Sequence, residues 1–128
     1  MYDDRLIFEE LHKIEETLLH VLGRTEKITS VDDFLSTPWG IDMLDVACIR
    51  LEALGEEVKN LDKHSKGLLL SKYPSIPWKK IMGMRDVIAH HYFEIDPDVV
   101  FAIVKTAIPP LLEVIRQIKT DFKKDLSQ

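Results

Sequence analysis

Apolar residues recur every three or four positions along three long runs of this chain, and that period constrains its fold more than any other feature. Over about residues 3 to 22, Leu6, Ile7, Leu11, Ile14, Leu18 and Val21 line one face of a helix. Asp3 or Asp4 can cap this helix and Gly23 can end it. A second stripe comprises Ile41, Leu44, Ala47, Cys48, Leu51, Leu54 and Val58. Its helix starts at "TPWG", with Thr37 as cap and Pro38 in the first position, and reaches about residue 61. The third run opens at "DPDVV", where Asp96 caps and Pro97 follows, and continues to about residue 124. Proline lacks an N–H and crowds the preceding turn, so Pro109 and Pro110 are expected to kink or split this last helix.

The intervening segments are shorter. "SVDDFLST" pairs Ser30 with Asp33 three residues on, a capping-box-like start for a short helix. "HSKGLLLSKYPSIP" predicts a short helix and then a break at Pro74 and Pro77. A fourth main helix is expected from about residue 78 to 91. No repeat, linker or low-complexity segment interrupts the pattern. The expected architecture is all-α, an antiparallel bundle of four main helices plus short ones, with residues 1–128 forming one domain.

The bulk numbers narrow the function. Hydrophobic residues make up 45% and charged residues 30%, ordinary values for a soluble globular protein. The acidic start "MYDDRLIFEE" has no apolar leader, and the run "DVVFAIVKTAIPPLLEVI" is interrupted by Lys105 and two prolines. A cytoplasmic location without membrane contact is therefore expected. A lone cysteine, Cys48, permits no intrachain disulfide and reads as a small buried hydrophobe. The net charge of −5 argues against a simple nucleic-acid binder, though a local basic cleft, formed where two chains meet, is compatible with it.

Most catalytic signatures are missing. There is no Gly-rich phosphate loop, nucleophile elbow or cysteine pair for zinc. His12, Glu16 and His20 fall at spacings of four and could present ligands on one helix face. A solvated polar face explains them more simply, because Glu9-x-x-His12 has no matching second pair for a di-metal bundle. No metal or other cofactor is implied.

"RDVIAHHYF", residues 85 to 93, stands apart. On a helical wheel with Arg85 at zero, Ile81, Met84, Val87 and Ile88 centre near about 270°, the core side. Asp86 then falls near about 100° and His90 near about 140°, facing outward, while His91 falls near about 240°, toward the core. Arg85 and His90 would be separated by roughly 7.5 Å of helical rise, close enough to share one phosphate group. An imidazole can take a proton from a ribose 2′-hydroxyl or give one to the leaving oxygen. A guanidinium can stabilise the charge that builds at phosphorus. Asp86 could orient either group, and Tyr92 offers a phenol. A surface ion pair beside two histidines at a helix end accounts for the same residues without chemistry.

"IPWKKIMGMRDVIAHHYFEID", residues 76–96, resembles the signature block of HepT-like proteins of the HEPN superfamily (higher eukaryotes and prokaryotes nucleotide-binding domains). Arg85, His90 and Tyr92 match the family pattern of arginine, four residues, histidine, one residue and tyrosine. Asp86 fills the polar position after the arginine, and His91 stands at a variable one. The resemblance implies the toxin of a type II-like toxin–antitoxin pair. It implies a homodimeric, metal-independent endoribonuclease that cuts tRNA or mRNA at a cleft where the two motifs meet, with Arg85 and His90 catalytic. The implied antitoxin is an MntA-type minimal nucleotidyltransferase that silences the toxin by transferring AMP to Tyr92. A non-catalytic nucleotide-binding or adaptor subunit of such a nucleotidyltransferase complex is the alternative.

Overall fold

The computed structural model describes residues 3–89 and 94–127. Three long helical stretches form its frame. Helix α1 spans Asp4–Arg24, α3 spans Pro38–His64, and α6, Pro97–Ala102, leads through a wide turn into α7, Ile108–Leu126. Short helices α2 (Val31–Leu35), α4 (Trp78–Met82) and α5 (Met84–Ile88) fill the gaps. None of the described helices is long and apolar enough to cross a membrane.

The stripes read from the sequence become the core. Ile7, Leu11, Ile14, Leu18 and Val21 of α1 are fully buried, as are Ala47, Leu51, Leu54, Val58 and Leu61 of α3 and Ile108, Leu111, Ile115 and Ile118 of α7. Removal of this apolar surface from water is the main drive for assembly. Ile41 departs from the pattern: it is 46% exposed, one turn outside the buried stripe.

Polar contacts fix the antiparallel order. The imidazole of His64, at the end of α3, hydrogen-bonds Glu10 near the start of α1. Glu15 of α1 receives Arg116 and Lys119 of α7, each at 2.8 Å. Lys105 donates to the Thr25 carbonyl at 3.1 Å, placing a cation on the C-terminal end of the α1 dipole. Both α3 and α7 therefore run opposite to α1.

The caps form where the sequence places them. The Asp3 carboxylate accepts from Arg5 and Leu6, Ser30 and Asp33 complete a capping box, and Thr37 accepts from Gly40. Asp96 accepts from Asp98 and Val99. The Pro109–Pro110 disruption takes a specific form. Neither proline can donate to the Lys105 or Thr106 carbonyl, and the turn Ile103–Ala107 widens into a π-helix in which Ile108 bonds back to Ile103.

Two expectations fail here. The segment before Pro74 yields only a 3₁₀ turn, Leu70–Lys72. The fourth main helix is not continuous to residue 91: it breaks at Gly83 and ends at Ile88, with Ala89 extended.

Gly40 is required by close packing. A Cβ there would collide with the Asp33 backbone carbonyl, where α2 crosses the start of α3. Gly40→Ala is expected to destabilise the fold by about 1–3 kcal/mol, the usual cost of overpacking, in urea or thermal unfolding. Glu57 offers a second test. Its Oε1 is buried without a hydrogen-bond partner among the described residues, and burial pushes its carboxyl above the usual range. The unfolded chain then releases this proton at lower pH than the folded one. The group's contribution to stability is therefore full below its unfolded pKa and is lost as pH rises through the raised folded value. Glu57→Gln is expected to raise the melting temperature at pH 7 and to have little effect near pH 4.

Candidate active site around Arg85

The segment carrying the motif is held by backbone fit. Gly55 lies inside α3, and a Cβ on it would sit 3.0 Å from the Ile81 carbonyl, 3.2 Å from the Met82 carbonyl and 3.3 Å from Met84 Cβ. The glycine therefore lets the α4–α5 junction approach the α3 backbone. Gly83 makes that junction. Its N–H closes α4 on Lys79 at 3.0 Å, while its own carbonyl accepts from Asp86 at 2.9 Å and Val87 at 3.2 Å. Five-residue helices are too short to persist alone, so α4 and α5 depend on buried Trp78, Ile81, Met84 and Ile88. The Trp78 indole also donates to the Tyr73 carbonyl at 2.8 Å.

Arg85 and Asp86 both lie on the exposed side of α5. Arg85 borders a depression of about 260 Å³ with Ile49, Glu52, Ala53 and Glu56 of α3 and Met82 of α4. This setting is mixed in charge, a guanidinium facing two carboxylates. Ile49 in its lining is 66% exposed, and Val87 and Ile95, near Arg85 in the chain sequence, are also open to solvent. The exposure of Val87 departs from the helical wheel, which turns it toward the core. Met84 and Ile88 are the buried residues of α5, and Val87 lies off that side.

His90, His91 and Tyr92 lie outside the described residues. Because α5 ends at Ile88 and Ala89 is extended, the wheel positions and the helical rise expected for the two histidines lose their basis. The chain on either side of them is tied together instead. Asp96 N–H donates to the Ile88 carbonyl at 3.0 Å, and Ala89 and Ile95 form an antiparallel bridge. Ala89 and Ile95, the described neighbours of that segment on either side, are thereby held next to each other. The sequence offered one sign of this closure, the Asp96–Pro97 restart, but not the pairing itself.

The other candidates resolve differently. The Cys48 thiol is buried and pushed up to about 11, first by desolvation and then by Asp45 and Glu52, which makes it a poor nucleophile. His12 pairs with Glu16 at 2.9 Å within α1. His20 is held below its ordinary value, first by burial and then by Arg50 and Arg24. No group of three or more potential ligands among the described residues is placed to share a metal ion. A larger depression of about 430 Å³ lies far along the bundle, lined by Tyr73, Asp4, Asp121 and Asp125. Tyr73 donates to Asp121 at 2.7 Å there, and three carboxylates against one lysine, Lys72, make it a poor seat for phosphate.

Comparison with known proteins bears on this geometry. The family model for "Ribonuclease HepT-like" matches residues 7–118. A "Putative RNase" of Methanocaldococcus jannaschii is 33% identical over 114 residues, covering 88% of this chain and 87% of that protein. Another "Putative RNase", of Caldanaerobacter subterraneus, is 34% identical over 108 residues, covering 79% of this chain and 89% of the relative. A "Probable ribonuclease HepT" of Thermococcus cleftensis is 41% identical over 61 residues, 48% of this chain and 52% of that one. No solved structure matches the chain significantly.

The Gly55 contact can be tested directly. Gly55→Val is expected to push α4–α5 off α3 and to cost about 1–3 kcal/mol of stability. Thermal melts and amide-exchange protection across residues 78–89 would register it, and unchanged protection there would count against the fit.

Proposed function

Because the chain belongs to the HepT-like ribonuclease family, we propose that it cleaves RNA without a metal ion, using Arg85 and His90. The observation that carries this reading is an exposed Arg85 on a segment whose α4–α5 junction is seated on Gly55 of α3, with Ile88 and Asp96, on either side of the segment that holds His90, hydrogen-bonded to each other. In the proposed reaction a neutral imidazole of His90 takes the proton of the ribose 2′-hydroxyl. The 2′-oxygen then attacks phosphorus, the bond to the 5′-oxygen breaks, and a protonated imidazole supplies the leaving oxygen with its proton. Arg85 holds the non-bridging oxygens as charge accumulates. Asp86, adjacent on α5, orients the cations.

The working unit in this reading is a homodimer. Exposed Ile49, which lines the Arg85 depression, and exposed Val87 and Ile95 supply apolar surface for a self-complementary contact in this reading. In such a contact each Arg85 approaches the second copy, and one histidine can act as base while the other acts as acid. Control is assigned to an MntA-type nucleotidyltransferase antitoxin that transfers AMP to Tyr92. That places bulk and negative charge two residues from His90, where they repel an RNA phosphate. The system is then a cytoplasmic toxin–antitoxin pair acting on tRNA or mRNA.

The acidic surroundings of Arg85, with Glu52 and Glu56 in the same depression, favour a second reading: a non-catalytic adaptor of the nucleotidyltransferase. Purified protein treated with chelator separates the two. Under the ribonuclease reading it cleaves RNA, Arg85→Ala and His90→Ala each lower the rate by roughly a hundredfold or more without loss of fold, and His91→Ala retains activity. Under the adaptor reading no cleavage occurs, while the complex forms and Tyr92 is still adenylylated, as seen by intact and peptide mass. Full cleavage by a folded His90→Ala protein would overturn the catalytic assignment.

A further inference from the structure

At the junction of α1 and α3 the chain exposes an aromatic ring among cations. Trp39, in the first turn of α3, is 47% exposed, although burying an indole is among the larger apolar gains a small domain can make. It shares a depression of about 190 Å³ with Arg24, Lys27, Glu26, Met43 and Gly23. Nothing lies within 4 Å of where a Gly23 Cβ would stand, so the floor beside the ring is open. On α1 and α3 nearby, burial first and then Arg50 and Arg24 lower the protonation of His20.

This concentration of positive charge is unusual on a chain of net charge −5. It also differs from the other cationic face. On α7, Arg116 and Lys119 are both engaged by Glu15 at 2.8 Å, and the Phe8 ring is covered by Lys119 and Lys123 at 5.5 and 5.6 Å. At the Trp39 depression the ring is open, and two cations stand against one lining carboxylate, Glu26, among the described residues.

We propose that this depression binds single-stranded RNA, with one base stacked on Trp39 and the adjacent phosphates on Arg24 and Lys27. Stacking on an exposed indole is tolerant of sequence, and flanking cations supply the backbone contacts, the usual combination for single strands. The inference rests on the ribonuclease reading and adds to it a second point of substrate contact. Trp39 and Glu52 are separated by about 20 Å along α3 and by roughly 140° around it, so a strand held at Arg85 reaches the ring by winding partway around the helix. The cations that the acidic Arg85 depression lacks are then supplied at the other end of the same helix.

The chain's two tryptophans make the test direct. Trp78 is 9% exposed and donates to Tyr73, so it serves as a shielded internal reference for Trp39. Full-length Arg85→Ala protein, which does not consume the ligand, is titrated with an oligouridine strand of about a dozen nucleotides at low salt. The exposed tryptophan emission is expected to be quenched. Adding Trp39→Ala should weaken binding by about tenfold or more, with Trp39→Phe recovering part of the loss. Adding Arg24→Gln and Lys27→Gln together should reduce the slope of log K against log salt by about 1.4, two phosphate contacts on a single strand. Unquenched emission at saturation, no binding at all, or unchanged affinity in Trp39→Ala overturns the proposal. So does protection of Trp39 by a protein partner with no response to RNA. Cleavage by the Arg85-containing protein is measured in parallel. Normal cleavage with a silent Trp39 removes the platform and leaves the ribonuclease reading intact. Quenching with the expected losses but no cleavage supports the platform and removes that reading.

Discussion

Helix α3 is the constraint from which the rest of the structure follows. Its 27 residues give a rod of roughly 40 Å, and α1, α2, α4, α5 and α6 all pack against it. A rod with side chains at every position would hold its neighbours at ordinary interhelical distance. Two buried glycines break that rule, Gly40 beneath α2 and Gly55 beneath the α4–α5 junction. Each lets a neighbouring backbone approach where a Cβ would intrude. The first fixes how the chain enters the helix, and the second fixes the height and rotation of the segment that bears Arg85.

Much of this frame was legible in the sequence because its signals are local. A stripe such as Leu11–Ile14–Leu18–Val21 reports helix and buried face together, and the stripe is buried as written. The caps at Ser30, Thr37 and Asp96 are equally local, since each needs only a side-chain oxygen and a donor two or three residues on. Ile41 shows the limit of the method: it is apolar and adjacent to the stripe, yet its burial depended on whether a neighbour would cover it.

The candidate site was less legible, and for a definite reason. Residues 78 to 91 have apolar spacing compatible with one helix, and the wheel drawn on that assumption turns Val87 inward and separates His90 from His91. What decides the matter is tertiary. Gly83 lacks a Cβ and is a poor helix former, but a single glycine inside a periodic run is often tolerated. Here the gain from seating Ile81, Met82 and Met84 on Gly55 accompanies the break. The bond from Asp96 to Ile88 joins residues eight apart that no helical or turn pattern connects. The choice between His90 and His91 therefore rests on the family spacing from Arg85, since the wheel no longer separates them.

Charge ties the geometry to the proposed chemistry. A chain of net charge −5 must gather its cations to engage RNA, and here Arg85 lines one depression with Glu52 and Glu56. All three side chains are exposed, where an ion pair contributes at most about 1 kcal/mol, so these carboxylates compete only modestly with a phosphate for the arginine. An open face of α3 leaves those carboxylates hydrated and available to compete. In the proposed dimer, covering exposed Ile49 beside Arg85 would change both the hydration and the partners of the guanidinium at once. In the proposed dimer the acidic lining and the exposed Ile49 would be covered together, and Arg85 would meet a phosphate where the two chains close.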